Sequence, residues 1–309
     1  MLKGKDLLSI HDLTSDEVME ILNLAHELKA KQKAGIEHHI LKGKTLGMIF
    51  EKSSTRTRVS FEVGMYQLGG QALFLSNRDL QIGRGEPIKD TARVLSRYLD
   101  GVMIRTFGHE IVEEFAQYAS IPVINALTDL LHPCQALTDL LTTQEHKGKD
   151  LKDLKMAYIG DGNNMTHSLM YACAKVGMNF ASASPKGYEP NAQVVANAKL
   201  DAAQSGSTIE ILNDPFAAAK DADILYTDVW ASMGQEAEHD ERVKIFKDYQ
   251  INNELLSVAD KRAIVMHCLP AHRGEEIAED VLEKNANVIF DEAENRLHTQ
   301  KAIMALLMG

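Results

Sequence analysis

The sequence predicts an α/β protein with two doubly wound parallel-sheet domains. Short apolar runs alternate along the chain with segments of helical period, and this alternation is typical of parallel sheets with crossover helices. Polar residues follow several of these runs, as Ser54 and Asp228 do, and such sheets bind ligands beyond the carboxyl ends of their strands. The length of 309 residues suits two domains of ordinary size.

The first half of the chain opens with a helix whose cap-type residues follow Leu13. The strand Thr45–Phe50 comes next, and a helix is predicted over Val59–Leu68. Asn77–Pro87 lacks an apolar period, so we predict a mobile loop there. The other predicted elements of this half are helices at 88–99 and 111–118 and strands at 72–75, 101–104 and 122–125.

A charged stretch from Gly148 to Lys155 marks a domain boundary. A strand from Lys155 then leads into a turn and a helix that reaches Val176. Further strands are predicted at 179–184, 207–212, 223–230, 263–266 and 288–290, and a last helix at 295–308. We therefore expect one domain at 1–147, joined by a C-terminal helix at 292–309, and a second at 148–291.

Composition limits the function. Hydrophobic residues make up 45% of the chain and charged residues 25%, as in soluble globular proteins. A net charge of −11 argues against a general nucleic-acid binder, which needs a basic face. The three cysteines lack CxxC spacing, so neither a disulfide frame nor a zinc site is predicted. With no visible signal peptide and no apolar run of roughly 20 residues, we expect a cytoplasmic protein without a membrane partner.

The stretch Lys52–Arg58 predicts a phosphate site. It carries four hydroxyls, two arginines and a lysine in seven residues, between a strand and a helix. Unpaired backbone N–H groups and the positive end of the helix dipole meet at such a junction. Hydroxyls add short donors, and the arginine fork matches phosphate oxygens. The alternative is an ordinary capped helix with solvated arginines, and the density of donors favours phosphate.

Other polar residues also follow predicted strands. Arg105 ends one strand, and His132 and Gln135 flank the proline that begins a helix. Zinc ligation by His132 with Cys134 is not supported, because no second ligand pair at zinc spacing follows. A dinucleotide site after Lys155 is not supported either, since the third glycine of G-x-G-x-x-G would fall at Met165.

Four motifs in order carry a resemblance to a known family. They are Ser54–Arg58, His132–Gln135, Asp228 with Ser232-Met233-Gly234, and His267–Pro270. Over essentially its full length the chain resembles the aspartate/ornithine carbamoyltransferase superfamily. The first two motifs are shared across the superfamily, whereas the last two are similar to those of its ornithine branch.

The resemblance implies transfer of the carbamoyl group of carbamoyl phosphate to the δ-amine of L-ornithine, in the cleft between the two domains. The first domain is then the carbamoyl-phosphate domain and the second the ornithine domain. The implied catalytic residues are Arg105, His132, Gln135, Asp228, Cys268 and Arg296. The implied carbamoyl-phosphate residues are Ser54, Thr55, Arg56, Thr57, Gln81, Arg105, His132, Gln135, Cys268, Leu269 and Arg296. The implied ornithine residues are Asn164, Asp228, Ser232 and Met233.

The resemblance also implies a homotrimer, or a multiple of trimers, in which Gln81 is offered to the neighbouring subunit's site. No metal or cofactor is expected, and no nucleic-acid or membrane partner. Arginine synthesis is favoured over arginine breakdown, although the sequence does not separate them.

Three alternatives remain at this point. A regulator could bind a sugar phosphate or nucleotide at the same phosphate turn without chemistry. A hydrolase could use Cys268 as nucleophile beside His267, but adjacent strand residues face opposite sides. A sister transcarbamoylase could act on putrescine or another diamine, and loop shape would decide between this substrate and ornithine.

Overall fold

The computed structural model describes residues 2–78, 80, 85–232 and 234–309. The strands are β1 Thr45–Phe50, β2 Gln71–Ser76, β3 Gly101–Arg105, β4 Val123–Leu127, β5 Lys155–Ile159, β6 Asn179–Ala183, β7 Ile209–Leu212, β8 Ile224–Thr227 and β9 Ile264–His267. The helices are α1 Ser15–Lys33, α2 Thr55–Gln67, α3 Ile88–Leu95, α4 His109–Tyr118, α5 Pro133–Lys147, α6 Asn164–Val176, α7 Ala192–Ser205, α8 Pro215–Ala219, α9 His239–Phe246, α10 Asn253–Leu256, α11 Glu279–Lys284 and α12 Ala286–Met308.

The chain forms two compact units. The first contains the residues up to Leu137 together with Asn295–Gly309, and the second is Thr138–Glu294. Each unit has its own parallel sheet, so the predicted fold class is confirmed. Within the described ranges, none of the helices combines the length and apolar character that crossing a bilayer requires.

The sheet of the first unit has the strand order β2-β1-β3-β4. Its register pairs Phe50 with Arg105, so β1 and β3 end at the same edge. Helix α1 begins with a capping box: the Thr14 hydroxyl accepts from the Glu17 N–H at 3.2 Å, and a Glu17 carboxylate oxygen accepts from the Thr14 N–H at 3.1 Å. Buried apolar side chains such as Phe115 form the core beside the sheet.

The sheet of the second unit has the order β7-β6-β5-β8-β9. Its core includes Ala157, Leu225 and Val265, one from each of three neighbouring strands. Helices α6 and α7 both end at a glycine in the left-handed conformation, Gly177 with φ 74° and Gly206 with φ 84°. The carboxyl ends of β5, β8 and β9 are therefore neighbours at one edge.

Several predicted boundaries were wrong. Helix α2 begins at Thr55 and not Val59, because Ser54 caps it. Helix α3 ends at Leu95 and not Leu99. The predicted strand at 288–290 belongs to α12, where the Ile289 N–H bonds to the Asn285 carbonyl at 3.1 Å and Phe290 is 58% exposed. Three apolar residues are too few to separate a strand from a helix by period.

Candidate active site

The turn from β1 into α2 builds the first polar site. Ser54 is the N-cap residue of α2, and its hydroxyl oxygen accepts from the Thr57 N–H at 3.2 Å. The same hydroxyl donates to Thr57 Oγ1 at 3.0 Å. The first N–H groups of α2 and the positive end of its dipole therefore lie at the carboxyl edge of the sheet, which suits an anion. A cleft of about 490 Å³ lies against Ser53, Ser54 and Thr55.

Lys52 and Arg58 of this stretch have acidic partners. Lys52 is buried, forms an ion pair with Asp129, and has its Nζ 4.3 Å from the centre of the Phe107 ring. Arg58 Nε lies 3.1 Å from a Glu62 carboxylate oxygen, and its guanidinium stacks on another aromatic ring. The count of donors therefore overstated the positive charge that the stretch directs at a ligand, and Arg56 stays the arginine predicted to bind phosphate.

Four further side chains of the first unit converge near the same edge. Arg105 ends β3, His132 precedes α5, and Gln135 lies in the first turn of α5. Arg296, on α12, donates to the Gln135 side-chain oxygen and, at 2.9 Å, to Thr57 Oγ1. These bonds join α2, α5 and α12 around one cluster.

Gly64 explains how α12 comes so near α2. A Cβ atom at Gly64 would lie 2.9 Å from Met304 Cε and 3.3 Å from Lys301 Cγ. Because glycine has no side chain, the two helices approach closely. This approach brings Arg296 within hydrogen-bond distance of Thr57.

His132 is held as a neutral imidazole. Its side chain is buried, and burial is the largest cause that lowers its pKa well below 6.5. The positive charges of Arg296, Arg105 and Arg56 lower this pKa further. A neutral imidazole at neutral pH donates one hydrogen bond and does not add to the local positive charge.

The second unit places a carboxylate at the end of β8. Asp228 Oδ1 accepts from the Val229 N–H at 2.8 Å and from the Cys268 thiol at 3.1 Å. Asp228 Oδ2 accepts from the Asn163 side-chain amide at 3.3 Å. Because β5, β8 and β9 are neighbours, residues distant in sequence meet on one carboxylate.

The Cys268 thiol stays protonated. Burial raises its pKa well above 9.0, and the negative charge of Asp228 raises this pKa further. His267 does not activate the thiol, since its Nδ1 accepts from the Leu269 N–H at 2.9 Å and its Nε2 lies 3.1 Å from a Glu276 carboxylate oxygen. This geometry gives no support to a cysteine-nucleophile hydrolase.

The same group offers a possible set of metal ligands, because donor atoms of Asp228, His267 and Cys268 lie within 4.8 Å of one another. Both ring nitrogens of His267 already take part in hydrogen bonds, and the thiol would have to lose a proton against its raised pKa. These residues therefore fit a resident metal ion poorly.

Asn163 was not among the predicted site residues. Its side-chain oxygen caps α6 by accepting from the Met165 N–H at 2.9 Å, while its amide reaches Asp228. The predicted residue Asn164 is the first residue of α6. An asparagine just before a helical pattern is a capping signal, so Asn163 could have been found from the sequence.

The remaining predicted residues of the second unit lie in loops. The Ser232 N–H donates to the Gln235 side-chain oxygen at 3.0 Å, and its carbonyl accepts from the Gln235 N–H at 2.9 Å. Leu269 has a φ of +57°, in the region that favours glycine, at a cost of about 1 kcal/mol or more. Gln81 and Met233 lie outside the described residues.

The fold and these sites define a class: a two-domain α/β protein with one unit suited to an anion and the other to a cationic ligand. Family models identify it further. Residues 5–145 match the carbamoyl-P binding domain of aspartate/ornithine carbamoyltransferase, and residues 152–307 match its Asp/Orn binding domain. The chain belongs to the aspartate/ornithine carbamoyltransferase family, which confirms the predicted resemblance.

Individual relatives agree with the family. The chain is 62% identical to the ornithine carbamoyltransferase of Anoxybacillus flavithermus over 307 residues, covering 99% of this chain and 98% of the relative. It is also similar to the solved ornithine carbamoyltransferase of Pyrococcus furiosus, with a TM-score of 0.96, 55% identity, and coverage of 100% and 98%. The solved anabolic enzyme of Campylobacter jejuni gives a TM-score of 0.91 at 45% identity, with 97% of each chain covered.

Proposed function

We propose that this carbamoyltransferase moves the carbamoyl group of carbamoyl phosphate to the δ-amine of L-ornithine, giving L-citrulline and phosphate. The observation that carries the proposal is the 62% identity, over nearly the whole of both chains, to a protein named ornithine carbamoyltransferase. The first unit binds carbamoyl phosphate and the second binds ornithine. As the sequence predicts, we assign the carbamoyl-phosphate domain to 1–147 with 292–309 and the ornithine domain to 148–291.

The turn into α2 holds the phosphate. Ser54, Thr55, Arg56 and Thr57 supply hydroxyls, backbone N–H groups and a guanidinium there, and Ser54 already orders the first turn of the helix. The leaving phosphate gains negative charge as its bond to the carbamoyl carbon breaks. Fixed positive charge and N–H donors stabilise that transition state more than the ground state.

Arg105 and His132 hold the carbonyl oxygen of the carbamoyl group. This oxygen becomes negative when the amine adds, and a neutral imidazole among arginines can donate to it without losing its own proton first. Gln135 and Arg296 support the arrangement, since Arg296 donates to the Gln135 side-chain oxygen. Cys268 and Leu269 contribute further contacts on the carbamoyl side.

Asp228, Asn164, Ser232 and Met233 hold ornithine. A carboxylate that accepts from the Cys268 thiol attracts an ammonium group. The α-carboxylate of ornithine needs amide or hydroxyl donors, which Asn164 and Ser232 can provide. Asn163 joins this set, because its side-chain amide orients the Asp228 carboxylate.

The δ-amine must lose a proton before it attacks, since its pKa is about 10.4 as in lysine. The Cys268 thiol cannot accept this proton, because its pKa lies well above 9.0 and it is already protonated at neutral pH. The departing phosphate is therefore the acceptor we favour, and Cys268 acts by its hydrogen bond to Asp228. No cofactor enters these steps.

The enzyme acts as a homotrimer in the cytoplasm, and it serves arginine synthesis. Gln81 of one subunit completes the site of the next, which a closed ring of three permits. In a reassembled mixture of Gln81→Ala and Arg105→Ala, about a quarter of sites would combine an intact Arg105 with a neighbour's intact Gln81. Activity should therefore return on mixing. A mixture that stays inactive after verified subunit exchange contradicts the shared site.

Substrate choice is tested by measuring citrulline formation from carbamoyl phosphate and ornithine, with putrescine in parallel. Putrescine lacks the α-carboxylate, so polar groups that bind that carboxylate would be left unmatched. We expect kcat/KM for ornithine to exceed that for putrescine at least about a hundredfold. Equal or better use of putrescine would assign the chain to a sister activity. Rescue of an arginine auxotroph that lacks this activity tests the role in synthesis.

A further inference from the structure

Three donor side chains of the second unit form a cluster, and none of them is among the residues assigned to substrate binding or catalysis. His239 is the first residue of α9, and His272 and Glu275 lie in the turn after β9. His239 Nε2 is 3.1 Å from Glu275 Oε2, and His272 Nδ1 is 3.3 Å from the same oxygen. Ligand atoms of all three lie within 4.8 Å of one another.

These distances suit a small tetrahedral ion. Zinc binds imidazole nitrogen and carboxylate oxygen at about 2.0–2.2 Å, so neighbouring ligand atoms in a tetrahedral site are separated by about 3.3–3.5 Å. The two nitrogen–oxygen distances of 3.1 and 3.3 Å are close to that spacing. Two ordinary hydrogen bonds have similar lengths, so the spacing alone does not separate the two cases.

The residues around these three side chains also favour metal binding. His239 Nδ1, the ring nitrogen that faces away from Glu275, lies 3.4 Å from an Asp240 carboxylate oxygen. Metal-binding histidines commonly use such a carboxylate to fix the tautomer and the ring orientation. The turn is also fixed, because the Glu275 N–H donates to the His272 carbonyl at 2.9 Å and the Gln250 side chain donates to the Glu275 carbonyl at 2.9 Å.

We propose that His239, His272 and Glu275 bind one divalent transition-metal ion of the zinc class. Two imidazoles and one carboxylate are ligands that zinc accepts, and three protein ligands leave a fourth position for water. Magnesium is excluded by its preference for oxygen ligands. The ion joins the start of α9 to the turn after β9 and so stabilises the second unit against unfolding. It takes no part in carbamoyl transfer.

Metal binding is measured directly on the full chain after chelator treatment, at about pH 8. Zinc is titrated against a chromophoric chelator, and cobalt absorption reports the ligand type. We expect one equivalent of zinc to bind and to raise the unfolding temperature, while magnesium does neither. The cobalt spectrum should show tetrahedral bands without thiolate charge transfer. If zinc does not bind, the proposal fails.

Variants decide where the ion lies. His239→Ala and the shape-conserving Glu275→Gln should each weaken zinc binding at least about tenfold. His39→Ala is the matched control, since His39 is a half-exposed histidine with a Glu37 carboxylate oxygen at 3.8 Å, and it should leave the affinity unchanged. An equal loss in all three variants would overturn the proposal.

The second arm separates this site from the group at Asp228. Cys268→Ser removes the thiol of that group but none of the proposed ligands, so zinc affinity should persist. Binding that disappears in Cys268→Ser and survives in His239→Ala would place the ion at the thiol and overturn the proposal. Unfolding curves of the metal-free variants, compared with the metal-free parent, identify any variant that has lost its fold. If His239→Ala has lost its fold, the zinc affinity of Glu275→Gln decides whether the ion lies at this site.

Discussion

The polar sites of the two units lie at the same structural position but have opposite charge. In the first unit, guanidinium groups surround a buried histidine whose pKa is lowered well below 6.5. In the second, a carboxylate accepts from a buried thiol whose pKa is raised well above 9.0. Burial thus moves the pKa of an imidazole and of a thiol in opposite directions, and in each case it favours the neutral form.

This comparison separates what the fold supplies from what the side chains supply. A parallel sheet provides an edge where loops and helix N-termini meet. The residues placed there then decide whether the edge attracts an anion or a cation. Single substitutions can therefore test each charge separately.

Arg56→Ala should have the largest effect. It removes a positive charge near the start of α2, where the leaving phosphate becomes more negative in the transition state. We expect turnover to fall at least about a hundredfold. Steady-state kinetics with Arg93→Ala provide the control, because Arg93 is an exposed arginine 3.3 Å from an Asp90 carboxylate oxygen and should change turnover little. Near-normal turnover in Arg56→Ala would contradict the assignment of the anion site to the first unit.

Asp228→Asn tests the opposite charge in the second unit. The amide is similar in shape but carries no negative charge, and it cannot accept at both positions as the carboxylate does. We expect kcat/KM for ornithine to fall about a hundredfold, with carbamoyl-phosphate affinity unchanged in calorimetry. Asp248→Asn, at an exposed position of the same unit, should match the parent. If both substrates lost affinity equally, the separation of charges between the units would be wrong.

Much of this comparison could be predicted from the sequence, since periodic apolar runs fix most strands within a residue or two. Ser54 follows β1 and Arg105 ends β3 as expected, and that places them at one edge. Pairings between distant residues could not be predicted. Lys52 meets Asp129 across 77 positions and Arg296 meets Thr57 across 239, so the sequence does not reveal which cations are neutralised.

Local ambiguity explains the other errors. The run at 288–290 is apolar for three residues only, and a helix that begins at Ala286 includes it. Asn163 was not predicted because the sequence was not searched for the residue that caps α6, while the neighbouring Asn164 stays a predicted ornithine residue. Period and composition do not carry that information, whereas cap position does.

Cys268→Ser should have a smaller effect than either charge removal. Serine still donates to Asp228 but lacks the larger sulfur atom, so we expect kcat/KM for ornithine to fall about tenfold, with carbamoyl-phosphate affinity nearly unchanged. Because the thiol pKa lies well above 9.0, the pH–rate profiles of parent and variant should have the same shape up to about pH 9.

The control for Cys268→Ser is Cys173→Ser. Cys173 is buried in α6 with its sulfur 3.9 Å from Met156 Sδ, so serine there should lower stability and leave the kinetics unchanged. If Cys268→Ser behaved in the same way, Cys268 would be a packing residue. A lower apparent pKa in the parent profile alone would indicate that the thiol ionises during turnover, contrary to its raised pKa.

Lys301→Met addresses stability and has the smallest expected effect. Lys301 is a buried cation of the first unit whose Nζ donates to the Gln67 side-chain oxygen at 2.9 Å and lies 3.1 Å from His38 Nε2, both uncharged partners. Burial lowers the Lys301 pKa from 10.5 to about 8. Arginine does not lose its proton in this way, so the anion site keeps its charge above pH 8, whereas Lys301 loses its charge there.

The sign of the Lys301 effect follows from proton binding. Between pH 8 and pH 10.5 the unfolded chain holds the Lys301 proton more tightly than the folded protein does, so stability rises with pH across this window and the full cost remains below it. Lys301→Met removes the amine, so the free energy of unfolding at pH 7 should increase by about 1 kcal/mol. The rise of the free energy of unfolding with pH above pH 8 should also flatten in this variant. Both are measured by urea denaturation.

Lys175→Met, in the second unit, is the control with the opposite expected sign. Lys175 Nζ lies 3.0 Å from Asp201 Oδ1, so removing the amine leaves a buried carboxylate without that partner and should destabilise the protein. If Lys301→Met destabilised the protein at pH 7, the charged form of Lys301 would stabilise the fold. Buried lysines would then be stabilising in both units, with or without a carboxylate partner.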